Sequence, residues 1–212
     1  MIKTNPLLPS LQNTTNNLVK RFSVIPHERK QLLQQLSAFV QSRVQNRQVA
    51  HLNFICTHNS RRSHLSQLWA QAAAYYYGVP NVQAYSGGTE ATAFNPRAVK
   101  AMMDAGFNIV KLKDGDNPVY EVSFAEEINP VRAFSKKYDD PFNHNKDFAA
   151  IMTCSHADEN CPLVAGAAAR IALTYDDPKE FDGTPLEQEK YKERVEQIGT
   201  EILYAFSLIS KQ

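Results

Sequence analysis

Cysteine is scarce in this chain: Cys56, Cys154 and Cys161 are the only three in 212 residues. So small and odd a number excludes the disulfide framework of a small secreted domain and fits reactive thiols in a reducing compartment. Long apolar runs are missing too. No stretch approaches the roughly 20 residues needed to span a bilayer, and the amino terminus lacks the apolar core of a signal peptide; the expectation is a cytoplasmic protein with no membrane partner. Net charge is almost absent, at +1, which removes the electrostatic argument for a nucleic-acid partner. Repeats and low-complexity tracts are absent as well. What is there is a globular chain, 43% hydrophobic, long enough for one full core.

The charge that exists is unevenly spread. Residues 1–47 hold seven Lys or Arg against one Glu, whereas residues 176–201 hold nine acids against four bases. The simplest consequence is a basic amino-terminal arm packed on an acidic carboxy-terminal helix; a polyanion-binding arm is the other reading. Residues 1 to 25 are polar and Asn-rich, with Pro6 and Pro9. Pro26 then opens a helix whose Leu32, Leu33, Leu36, Phe39, Val40 and Val44 share one stripe. Residues 1–47 thus read as a helical extension ahead of a domain at 48–212.

Strand patterns fall at 49–55, 82–86, 148–153 and 170–175, with helical patterns between them, which predicts an α/β fold built on a parallel sheet. Asn95-Pro96 caps a helix ending at Gly106, with Ala98, Val99, Met102 and Met103 on its buried face. Thr184, Pro185 and Glu187 read as a capping box before a last helix carrying Tyr191, Val195, Ile198, Ile202 and Phe206. Between about 111 and 147 the pattern breaks at Gly115, Pro118, Pro130 and Pro141, which predicts an inserted hairpin and loop.

The chemistry concentrates in Cys56-Thr57-His58-Asn59-Ser60-Arg61-Arg62-Ser63. A buried strand leads in, and a helix starting near Ser60 leads out with Leu65, Leu68, Trp69, Ala72 and Tyr76 on one face. Backbone N–H groups in such a junction, together with the positive end of the helix, favour a phosphate-like anion and a thiolate at Cys56. Arg62 offers two parallel donors to a tetrahedral oxyanion, and Ser63 a hydrogen bond to sulfur. Asn59 braces the loop, since asparagine tolerates left-handed backbone.

Cys154-Ser155-His156-Ala157-Asp158-Glu159-Asn160-Cys161-Pro162 starts at the end of the third strand, on the sheet edge where the Cys56 loop opens. A metal site from Cys154, His156 and Cys161 lacks the usual short cysteine spacing. A redox pair, in which Cys161 approaches Cys154 and Cys154 approaches Cys56, suits a loop better; buried inert cysteines are the bland alternative. Asp176-Asp177-Pro178 follows the fourth strand and places Asp177 over the cradle, where a carboxylic acid protonates a leaving oxygen. Asp139-Asp140-Pro141 reads as a surface turn.

With these residues in view, the chain resembles the thioredoxin-coupled arsenate reductases, which share the low-molecular-weight protein tyrosine phosphatase fold. The resemblance spans roughly residues 49–110 and 148–208. It rests on the Cys56–Ser63 loop, on Asn81-Val82 through Ser86-Gly87-Gly88, and on Asn95-Pro96-Arg97-Ala98; the Cys154–Pro162 segment and Tyr175-Asp176-Asp177-Pro178 complete it. It implies a three-layer sandwich with a four-stranded parallel sheet, to which residues 1–47 and 111–147 are additions that cover the site, make a dimer or dock a partner.

The same resemblance implies a mechanism. Thiolate Cys56 attacks arsenate held by Arg62 and by the loop residues Thr57, His58, Asn59, Ser60 and Arg61, while Asp177 protonates the departing oxygen. Cys154 attacks Cys56, arsenite leaves, and Cys161 attacks Cys154 to give a disulfide that thioredoxin reduces. Ser63 hydrogen-bonds the Cys56 sulfur. No tightly bound cofactor is implied beyond phosphate, sulfate or arsenate in the loop and a potassium ion near Asn59 and Ser86. The chain departs from the family pattern at His58, which replaces a glycine and is expected to need strained backbone in a tight anion loop; at Arg61, which replaces an extra cysteine and adds charge at the rim; and at Gln67, which replaces a potassium-ligating glutamate. A tyrosine phosphatase would use the same Cys56, Arg62 and Asp177 with water as the second nucleophile. An oxyanion sensor would keep the cradle alone.

Overall fold

A computed structural model describes residues 4–160 and 163–210. Two helices come first, α1 (Pro9–Val19) and α2 (His27–Gln45), followed by β1 (Ala50–Cys56), α3 (Arg62–Tyr77), β2 (Val82–Gly88) and α4 (Pro96–Asp104). Three short strands, β3 (Asn108–Lys113), β4 (Val119–Ser123) and β5 (Val131–Ala133), precede β6 (Phe148–Met152). The chain closes with α5 (Ser155–Asn160), β7 (Ala167–Ala172) and α6 (Glu187–Ser207). The strands β2-β1-β6-β7 form a four-stranded sheet, and each neighbouring pair is parallel. This is the α/β architecture expected from the alternation of strand and helix patterns.

Strand alternation divides the interior into two clusters, one on each face of the sheet. Leu52 and Phe54 of β1, Ala149 and Ile151 of β6 and Ile171 of β7 join the large cluster with α2, α3 and α6. Ile55, Cys56, Phe148, Ala150, Met152 and Cys154 form a small cluster on the other face with Ala157 of α5 and Tyr138. The result is three layers, with a thick helical layer on one side and a thin one of α5 and loop on the other. α3 is buried around nearly its whole circumference, because α6 lies along the side turned away from the sheet.

The described residues 4–47 pack into the same core as the rest of the chain. Within the polar stretch at 1–25, α1 forms and buries Leu11 and Leu18, and α2 buries Leu33, Leu36, Val40 and Val44 in the same cluster as α6. The charge asymmetry is resolved by packing: Arg21 meets Glu196 at 2.7 Å and Arg29 meets Glu201 at 2.8 Å, both acids on α6. Ser37 Oγ also donates to the Ala205 carbonyl at 2.8 Å. The predicted insertion is a three-stranded antiparallel sheet, β3-β4-β5, which begins at Asn108 rather than 111. Its Tyr120 and Val122, with Phe124, reach the main core.

Smaller expectations shift for local reasons. The fourth strand runs Ala167–Ala172, not 170–175, since its pairing with β6 starts at Ala167. α3 begins at Arg62 rather than near Ser60, because residues 57–61 are committed to the loop. Met103 is exposed while Met102 is buried. Glu187 is drawn away from the expected capping box: its carboxylate accepts from the Gly183 N–H and pairs with Arg97, so α6 starts without a side-chain cap.

Because α2 supplies core side chains, Leu33→Ala and Leu36→Ala should each cost about 2–5 kcal/mol, measured by urea unfolding. An extension merely resting on the surface would lose under about 1 kcal/mol.

Candidate active site

The Cys56 loop is built by its surroundings. The carbonyl of Cys56 accepts from Thr89 N–H (3.1 Å), that of Thr57 from Glu90 N–H (2.8 Å) and that of Ser60 from Asn95 N–H (2.9 Å). The His58 carbonyl accepts from the hydroxyls of Ser135 (3.0 Å) and Thr92 (3.1 Å). In a trans peptide the N–H points opposite to the carbonyl. Turning these carbonyls outward therefore turns the N–H groups of Thr57, His58, Asn59 and Arg61 inward, which is the arrangement that binds an oxyanion.

Asn59 carries the loop's tight turn, at φ +43°. The strain expected at the non-glycine His58 does not arise there: His58 is not among the positive-φ residues, and its imidazole points out toward Glu90 at 3.6 Å. Asn59 Nδ2 donates to Ser63 Oγ at 2.9 Å, which leaves the Ser63 hydrogen for Cys56 Sγ at 3.0 Å. Cys56 is 4% exposed, so this bond meets the sulfur where water scarcely does. Gly87 and Gly88 make room for the loop and its support. A Cβ on Gly88 would lie 2.6 Å from Asn59 N and from Thr57 O, and one on Gly87 2.3 Å from Tyr138 Cα.

Arg62 and Asp177 come together as expected. Arg62 donates from Nη2 to Asp177 Oδ2 at 2.7 Å and from Nη1 to the Tyr175 carbonyl at 2.8 Å, while its buried Nε has no partner among the described residues. That Nε is a donor available to a bound oxyanion. Asp177 also caps the short turn of helix at Pro178–Phe181 by accepting from Lys179 N–H. Arg61 is not a free charge at the rim. It is 9% exposed, donates from Nε to Tyr191 Oη at 2.8 Å and lies 3.4 Å from Asp182, so its side chain ties the loop to α6.

The second cysteine is on the same edge. Cys154 is 1% exposed, packs in the small cluster that contains Cys56, and lies 3.5 Å from Thr57 Oγ1. Cys161 lies outside the described residues. Among the described residues no three His, Cys, Asp or Glu side chains are grouped to hold a metal, and no helix is long and apolar enough to cross a membrane.

Behind the loop lies a polar interior that the sequence did not point to. His64 is fully buried, bonded through Nδ1 to Ser86 Oγ at 3.2 Å and stacked on Phe94. Burial holds its imidazole well below the ordinary range, and the charge of Lys136 pushes the same way. Lys136, from the predicted insertion, is 2% exposed, with its ammonium 4.6 Å from the Phe134 ring centre and 5.3 Å from that of Phe142. Its backbone N–H donates to Asn59 Oδ1 at 2.9 Å. These groups do not fit the expected potassium ion. Asn59 Oδ1 is already hydrogen-bonded, Ser86 Oγ is held by His64, and Gln67 contributes one neutral buried oxygen without a partner among the described residues. A neutral donor set beside a buried ammonium disfavours a second cation.

Burial pushes Lys136 down to about 8 from 10.5, with Asp140 opposing. The unfolded chain binds that proton up to 10.5 and the folded chain only up to about 8, so Lys136 destabilises below pH 8 and the penalty fades between 8 and 10.5. Lys136→Met should accordingly be more stable than wild type at pH 7, with the gap closing across that window; a gap independent of pH in paired urea titrations would count against it.

No protein-family model matches the chain. An arsenate reductase of Bacillus licheniformis is 31% identical over 150 residues, 70% of this chain and 89% of the relative. One from Bacillus subtilis is 29% identical over 150 residues with the same coverage, and arsenate reductase 2 of Staphylococcus epidermidis is 30% identical over 125 residues, 59% of this chain and 76% of the relative. Among solved structures, a low-molecular-weight phosphotyrosine phosphatase from Vibrio cholerae has a TM-score of 0.48 at 14% identity, over 73% of this chain and 93% of that one. An arsenate reductase in the phosphate-binding state has a TM-score of 0.43 at 15% identity, over 76% and 100%. The sequence relatives decide the matter: the chain belongs to the arsenate reductase family that these Bacillus and Staphylococcus proteins represent.

Proposed function

We propose that this protein reduces arsenate to arsenite with three of its own thiols and is recycled by thioredoxin. The observation that carries this reading is the placement of Cys154: a second buried thiol lies one hydroxyl away from the cradle, in the same apolar cluster as Cys56.

Each step has its residues. The inward N–H groups and Arg62 hold the oxyanion, and the Ser63 hydrogen bond keeps Cys56 reactive. The Cys56 sulfur attacks arsenic and an oxygen leaves as water, with Asp177 supplying a proton. Cys154 sulfur then attacks the Cys56 sulfur: an S–S bond forms, the S–As bond breaks, and its electron pair reduces As(V) to As(III) as arsenite departs. Cys161 attacks Cys154, Cys56 leaves as thiolate, and the dithiol of thioredoxin reduces the Cys154–Cys161 disulfide.

Coupled turnover tests the whole sequence. Arsenate-dependent NADPH oxidation with thioredoxin and thioredoxin reductase should be sustained in wild type and fall to at most one equivalent in Cys161→Ser. Absence of turnover in wild type, combined with hydrolysis of an aryl phosphate, would replace this reading with a phosphatase.

A further inference from the structure

His156 has no part in the steps above, yet it is hydrogen-bonded into them. Its Nδ1 lies 3.3 Å from Thr57 Oγ1, the same hydroxyl that lies 3.5 Å from Cys154 Sγ. We propose that Thr57 and His156 form a relay that carries the Cys154 thiol proton from the interior to solvent as Cys154 attacks the Cys56 sulfur. The inference rests on the reductase reading, because only there does Cys154 act as a nucleophile.

The argument is one of donors, acceptors and access. A thiol must shed its proton to attack, and Cys154, at 1% exposure, has no direct route to water. Its sulfur already accepts the Ala157 N–H at 3.4 Å, so that contact gives the thiol proton nowhere to go. The acceptor facing the sulfur is Thr57 Oγ1, and a hydroxyl that takes one proton passes its own along. His156 Nδ1 stands on the far side of that hydroxyl, and the His156 side chain is exposed. An imidazole accepts a proton at one ring nitrogen and releases one from the other to water. The protons and electrons balance: the Cys154 proton moves to Thr57 Oγ1, the Thr57 proton to His156 Nδ1, and the sulfur electrons form the disulfide while the S–As pair stays on arsenic. Both contacts are at the long end for hydrogen bonds, as relay contacts often are before substrate draws the reacting groups together.

His156 acts through Thr57 and is a positioning and relay residue, not one that touches the reacting sulfur. In a hydrophobic wall the same position would suit any side chain of similar size, so the test must separate proton transfer from shape. The full chain carrying Cys161→Ser accumulates the Cys56–Cys154 disulfide after one equivalent of arsenate, and rapid quench with mass spectrometry reads its rate of formation. Adding His156→Ala should slow that rate roughly 10²-fold, and free imidazole should restore much of it. Thr57→Val should slow it comparably, Thr57→Ser should recover most of the rate lost in Thr57→Val, and His156→Ala combined with Thr57→Val should be no slower than Thr57→Val alone. Disulfide formation at an undiminished rate in His156→Ala, or slowed formation that imidazole leaves unchanged, would overturn the relay. If the Cys161→Ser reference itself forms no disulfide with arsenate, the reductase reading falls and takes the relay with it. That outcome is told apart from the others because it appears before His156 is altered.

Discussion

One amide side chain holds the cradle in shape. Asn59 sits at φ +43°, where its backbone reverses the chain, and its side chain bonds in two directions: Nδ2 to the Ser63 hydroxyl and Oδ1 from the Lys136 N–H. The first bond orients the serine toward Cys56 Sγ, and the second pins the loop to the segment that runs beside Gly88 at the edge of the sheet. A residue with only a donor or only an acceptor would satisfy one of these and leave a buried partner unpaired, at a cost of about 1–3 kcal/mol. Asparagine is also among the few non-glycine residues that accept left-handed backbone readily. Conformation and hydrogen bonding thus make the same demand at one position.

From that point the constraints spread into parts of the chain that look peripheral. The antiparallel segment supplies Ser135 and Lys136 to the loop, and its Lys136–Tyr138 backbone bonds in both directions with Gly88. The amino-terminal helices bear on the other wall. Arg29 of α2 lies 4.7 Å over the Tyr175 ring and pairs with Glu201, and the Tyr175 carbonyl accepts from Arg62. Burial lifts the Tyr175 hydroxyl well above its ordinary value, so the ring stays neutral beneath the guanidinium. The orientation of Arg62 is therefore set partly by Arg29 of α2, more than thirty residues upstream in the sequence. Residues 4–47 and the antiparallel segment are additions by sequence pattern and components by packing.

The sheet and the cradle were legible because their signals are local. A buried strand pattern such as Leu52–Ile55 and a cysteine and arginine bracketing a short polar loop are read within a dozen residues. The Asp177 contact with Arg62 was legible for a further reason: both residues follow strands of one parallel sheet and must emerge at the same edge. What escaped the sequence depends on partners far along the chain. Lys136 is an ordinary lysine until Phe134 and Phe142 close around it, and α1 is a polar stretch until the core closes over Leu11 and Leu18. Arg61 shows the limit of charge counting, since a guanidinium that the sequence pattern places at the rim is drawn inward by Tyr191, 130 residues away. His58 erred in the opposite direction: the turn that would have strained it is carried by its neighbour.

The Arg62–Asp177 pair bears on how such a cradle selects its ligand. The guanidinium already engages an oxyanion, the Asp177 carboxylate, through Nη2, and a backbone carbonyl through Nη1. A ligand that offered Arg62 only a second carboxylate would gain little, because it would exchange one planar charge for another and leave the inward amides unmet. A tetrahedral oxyanion is different. In the proposed reaction its extra oxygens would reach the N–H groups of Thr57, His58, Asn59 and Arg61 together with Arg62 Nε, a buried donor without a partner among the described residues. The surplus of donors over what Asp177 can use favours tetrahedral over planar anions, and in the proposed reaction the same competition would free the Asp177 carboxyl to supply its proton.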